Sequence, residues 1–115
     1  MPNSRAKGSR TFRKACRYAL GFPGTVLLPM YQVSRFAQPQ PFDFLMFRPT
    51  HWIRLVEVRT GQWGVAKPQT RTLAGLPGEM YRKQLWRFQD RQMTPDLREW
   101  QEDAWNTITN PWEVE

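Results

Sequence analysis

Residues 41–59 leave this chain few ways to fold. They read Pro-Phe-Asp-Phe-Leu-Met-Phe-Arg-Pro-Thr-His-Trp-Ile-Arg-Leu-Val-Glu-Val-Arg. Two apolar runs, 42–47 and 52–58, flank a break at Arg48, Pro49, Thr50 and His51. Each run is short, rich in aromatic or β-branched residues and bounded by turn formers, so the pair predicts a β-hairpin. Each strand carries one carboxylate, Asp43 and Glu57, the only acids among the first 59 residues. An acid inside an apolar strand costs free energy unless it has a partner, so these two need a reason.

Side chains alternate faces along a strand. Asp43, Leu45 and Phe47 share one face of the first strand; Ile53, Leu55, Glu57 and Arg59 share one face of the second. A three-residue turn at 49–51 places Asp43 opposite Glu57, with Arg59 pointing the same way. A four-residue turn places Asp43 opposite Val56 and turns Glu57 away unless a bulge corrects it. Both registers are open at this level.

Two carboxylates converging at a strand pair, with a cation two residues on, make an oxygen-ligand metal site. Magnesium takes hard oxygen ligands and keeps several waters, so one or two carboxylates with a phosphate suffice. Such an ion polarises a phosphodiester and activates water.

An Asp after a Pro-containing turn, a β-hairpin and then Glu-x-[Lys/Arg] resembles the core of the PD-(D/E)xK nucleases, nearest to the Holliday-junction-resolvase-like and VRR-type enzymes. The matching residues are Asp43, with Pro41 two before it, Glu57 and Arg59. The resemblance covers roughly residues 4–90 and rests chiefly on strand context, because the motif itself is short. It implies a restriction-endonuclease-like α/β fold: an α-β-β-β-α-β core with a mixed sheet of about four strands. It implies that Asp43, Glu57 and the Val58 carbonyl hold Mg²⁺ or Mn²⁺, and that the substrate is DNA, branched or junction DNA included. The relatives cut junctions as dimers, which implies a homodimer. Two departures stand out. Arg59 occupies the family's Lys position; Arg clamps a phosphate but is a poor general base. Lys67, eight residues on, is in reach as a migrated lysine. Residues 1–20 hold no acid, whereas the first helix of such enzymes often supplies a Glu.

Charge points the same way. The chain has 115 residues and a net charge of +7. Residues 1–59 carry ten cations and two acids, residues 60–115 seven and eight. One cationic half suggests a face for nucleic acid. The length suits a single domain, 1–115, and 40% apolar residues with six Trp and seven Phe argue for a packed core. A lone cysteine, Cys16, excludes an internal disulfide and a cysteine-based zinc site. No apolar run is long enough to span a membrane. A cytoplasmic or nucleoid-associated protein fits best; the Arg-rich, acid-free start also fits a mitochondrial import signal.

Along the chain, 1–10 reads as a basic arm. Phe12, Ala15, Cys16, Ala19 and Leu20 then recur at helical spacing. Arg5, Lys7, Arg10, Arg13, Lys14 and Arg17 lie outside that stripe and are candidate phosphate contacts. Gly21, Pro23 and Gly24 stop the helix. Residues 25–34 read as a strand that Pro29 places at an edge. Arg35 and Gln38, in the following loop, are further candidate contacts. Pro68 suits the first turn of a short helix ending near Pro77 and Gly78. Residues 85–89 alternate as a strand, while 79–92 also fits a helix. Leu97, Trp100, Ala104, Trp105 and Ile108 fall at helical spacing and predict a C-terminal helix over 94–109, with 110–115 a frayed tail. His51, at the hairpin tip, reads as a turn residue. Two other functions stay open: a non-catalytic basic module binding nucleic acid, and an RNA-associated protein in which Asp43 and Glu57 form ordinary ion pairs with Arg54 or Arg59.

Overall fold

The computed structural model describes residues 4–29, 42–61, 68–76 and 81–113. The described elements run α1 (Ser4–Leu20), β1 (Val26–Pro29), β2 (Phe44–Phe47), β3 (Ile53–Thr60), α2 (Pro68–Gly75), β4 (Tyr81–Phe88), β5 (Asp96–Gln101) and β6 (Ala104–Ile108). The strands form one mixed six-stranded sheet in sequence order. All neighbours are antiparallel except β3 and β4, which are parallel across the α2 connection. The protein is thus α/β, and its first six elements follow the order α-β-β-β-α-β.

Helix α1 starts at Ser4, so the expected mobile arm over 1–10 is helical from that residue on. A single glycine, Gly8, costs a helix only about 1 kcal/mol, too little to stop it spreading from the packed part of α1. Thr11, Ala15 and Ala19 form the buried stripe, with Phe12 and Tyr18 beside it. Leu20, expected in that stripe, is 59% exposed, and Cys16 is only half-buried. Burial raises the Cys16 thiol above its ordinary pKa. Gly21 closes the helix, its N–H donating to Arg17 O at 3.1 Å.

The hairpin of residues 42–60 forms with Phe44 opposite Val56 and Met46 opposite Arg54. Its turn is closed by His51 N–H donating to Arg48 O at 3.1 Å. Phe44, Met46, Val56, Trp86 and Phe88 face α1 and form the larger core. Its rings meet edge to face: Phe12 on Phe44, Phe44 on Trp86, and Trp86 on Tyr18. On the opposite face, Leu55 and Leu85 pack with Leu73 of α2.

One open choice is settled and two expectations are corrected here. Residues 81–88 are a strand, because parallel pairing to β3 buries β4 on both faces. The sheet has six strands, not about four. The C-terminal helix over 94–109 is a β-hairpin: Glu102 and Asp103 both take positive φ, 52° and 60°, as a tight two-residue turn requires. Leu97 pairs with Ile108 and Trp100 with Trp105. The spacing of these residues satisfied a helix and a hairpin alike.

Residues 110–113 are no frayed tail either. Pro111 and Trp112 are buried, Trp112 to 6% exposure. The Pro111 carbonyl accepts from Arg54 Nε and from Gln84 Nε2, each at 2.9 Å. The Arg54 guanidinium lies over the Trp112 ring at 4.7 Å. Among the described residues, no helix is long and apolar enough to cross a membrane.

Candidate functional site

The ladder of β2 on β3 ends at Phe44 opposite Val56, and Asp43 lies one residue past it. This is the register that the three-residue turn favours. The strands begin to part there. The Asp43 N–H donates to Val56 O at 2.7 Å, and its carboxylate Oδ2 accepts from the Val58 N–H at 2.6 Å. A side-chain oxygen has taken over where the β2 backbone no longer reaches. In an antiparallel pair a residue's N–H and C=O point to the same neighbour. The Val58 carbonyl therefore faces the side on which Asp43 stands.

Glu57 and Arg59 follow on the face that carries α2. Both are buried, and Arg59 Nε lies 3.8 Å from Glu57 Oε1. Thr70 of α2 joins them. Its hydroxyl donates toward Glu57, 2.9 Å from Oε2 and 3.2 Å from Oε1, and accepts from the Arg59 guanidinium. Leu73, three residues on, seats the same face of α2 in the core, which aims Thr70 at the sheet. Removing one partner from so buried a pair leaves a charge that burial penalises; keeping all three satisfies it.

The structure thus brings Glu57 and Arg59 together on the face that carries α2 and sets the Asp43 carboxylate on the backbone of Val58, the residue after Glu57. Thr70 is the member that sequence reasoning missed. Its only signal is its place three residues before Leu73 on a helix whose extent the sequence leaves loose. Lys67, Arg35 and Gln38 lie outside the described residues, as do the side chains of Arg5 and Lys7 on the first turns of α1. Arg10, Arg13 and Arg17 are exposed and Lys14 half-buried, all off the sheet-facing stripe, as expected. His51 is held at the hairpin tip, its Nδ1 donating to Pro49 O at 2.8 Å and its ring against Trp112.

Among the described residues no three His, Cys, Asp or Glu side chains converge as a metal cluster. Asp43 and Glu57 offer carboxylate oxygens and Val58 a carbonyl, donors of the kind a hard cation takes. No protein-family model, curated protein or solved structure matches the chain.

Proposed function

We propose that this protein is a metal-dependent endonuclease of the PD-(D/E)xK type, acting on DNA phosphodiesters. One observation supports the reading: the Asp43 carboxylate is held on the Val58 backbone, next in sequence to Glu57 and its partner Arg59, inside an α-β-β-β-α-β series of described elements. Asp43, Glu57 and the Val58 carbonyl would hold Mg²⁺ or Mn²⁺, which when bound supplies Lewis-acid stabilisation of the phosphate and a more acidic water. The chain's own residues do the rest. The Val58 N–H orients the Asp43 carboxylate. Thr70 and Arg59 orient Glu57. A guanidinium clamps phosphate well and is a poor general base, so the part of Arg59 is to stabilise charge. The exposed cations of α1 neutralise phosphates and steer DNA to the protein. Such an enzyme works where DNA is, in the cytoplasm or on a nucleoid, and a junction substrate calls for a homodimer.

Supercoiled, linear and four-way-junction DNA incubated with and without Mn²⁺ tests this. Nicking that needs the ion and vanishes in Asp43→Ala and Glu57→Ala supports the enzyme. One observation favours a second reading. The Glu57–Arg59–Thr70 contacts satisfy Glu57 without any ion, as a binding module with a retired site would have it. DNA binding without cleavage under every condition selects that module.

A further inference from the structure

An open groove of about 350 Å³ lies between the C-terminal half of α1 and the β4–β5 loop. Lys14, Arg17, Tyr18 and Phe22 line one side, Met93 and Thr94 the other. Its walls are mainly apolar. The Tyr18 and Phe22 rings meet edge to face at 5.3 Å, and Met93 is 57% exposed although it is a large apolar side chain. Among the described residues that line it, the charged ones are the cations Lys14 and Arg17, and none is acidic. Arg17 stands in the last turn of α1, where it offsets the partial negative charge of the helix end.

An apolar slot for a flat ring, bordered by cations and free of acids, is complementary to a nucleotide: the base stacks and the phosphates lie beside the cations. A base inside a duplex has both faces covered by its neighbours, so only an unpaired base can enter. We propose that the groove takes an unpaired base from a DNA strand lying along α1, with the flanking phosphates on Lys14 and Arg17. This rests on the DNA reading above and sharpens it to DNA carrying an unpaired segment. The loop bearing Met93 leaves β4 after Phe88, which pairs with Thr60, the residue next to Arg59. The groove and Glu57 therefore lie toward one end of the sheet, on opposite faces.

The test is fluorescence anisotropy without divalent ions, so that no strand is cut. A duplex with a central thymine bubble is compared with a fully paired duplex of equal length and charge. The bubble is expected to bind about tenfold more tightly, the effect of stacking one base. Met93→Asp, on an exposed loop that tolerates it, is expected to bring the ratio to near one, while Met93→Leu keeps it. Taking a ratio cancels the general repulsion the new acid adds. Equal affinities in the unmodified protein, or a preference that survives Met93→Asp, overturn the groove and leave the nuclease proposal standing. Failure to bind either duplex overturns both.

Discussion

The carboxylate of Asp43 accepts the backbone N–H of Val58 at 2.6 Å, across a strand pair that has already begun to part. The same contact holds β2 to β3 and aims an acid at the proposed ion site. The two roles separate by substitution. Asp43→Asn keeps an oxygen to accept the N–H and is expected to unfold in urea within about 0.5 kcal/mol of the parent. Asp43→Ala leaves the donor without that acceptor and is expected to cost about 1–2 kcal/mol. Calorimetry with Mn²⁺ should register loss of binding in both. Retention of full affinity by Asp43→Asn would remove Asp43 from the site.

Thr70 is the hinge pin of the Glu57–Arg59 pair. Thr70→Val preserves shape and deletes the hydroxyl, so two buried charged groups lose a partner; a loss of about 1–3 kcal/mol is expected. Thr70→Ser should recover most of it. Equal stability of the Val and Ser variants in urea would mean that the hydroxyl contacts carry no weight.

DNA binding should weaken steeply with salt. Each of Arg10, Arg13 and Arg17 that neutralises a phosphate is expected to lower the slope of log affinity against log salt by about 0.9 when changed to Gln. Filter binding over a salt series measures it. A slope indifferent to all three substitutions would move the DNA face elsewhere.

Acid should loosen the segment that covers Arg54. The Glu113 carboxylate accepts from the Thr109 hydroxyl and from the backbone N–H groups of Thr109 and Asn110. The Thr109 side-chain bond is the main reason its pKa falls below the ordinary 4.5, against a small opposing push from burial. A depressed carboxylate lends stability that is complete above its unfolded value and fades as pH falls through the folded one. Trp112 fluorescence should therefore change below about pH 4.5, and Glu113→Gln, which removes the charge outright, should abolish that step and show the acid signal already at neutral pH.

Thr50 closes the β2–β3 turn with φ at 66°, a left-handed conformation that a β-branched residue adopts at a cost. Its side chain is exposed. Thr50→Gly is expected to stabilise the protein by up to about 1 kcal/mol. Thermal unfolding of the pair decides the sign, and a lower midpoint for the glycine variant would show that the Thr50 hydroxyl, which donates to Pro49 O, outweighs the strain.

Much of this was legible in residues 41–59 alone. The register of a three-residue turn is the one β2 and β3 adopt from Phe44 on, though Asp43 itself lies past their ladder. The failures share one cause, which is that local spacing does not say what lies opposite. Trp100 and Trp105 suited a helix until strand pairing set them opposite each other, their rings edge to face at 5.2 Å. Glu102 and Asp103 carry none of the glycine that usually flags such a turn. Residues 110–113 looked dispensable because their value lies in Arg54 and Gln84, distant in sequence, which need the Pro111 carbonyl. Thr70 stayed hidden for the same reason.

Helix α1 rests on the sheet through Ala15 and Ala19, side chains too small to hold it at a distance. Seated so low over interlocked rings, it has no freedom to swivel. Arg10, Arg13 and Arg17 then act as teeth on a stiff ruler, stepped along its axis at about 1.5 Å per residue. On the DNA reading proposed above, a flexible polyanion would have to bend to that ruler, and the surface would discriminate by contour, with no letter of the genetic text read along the way.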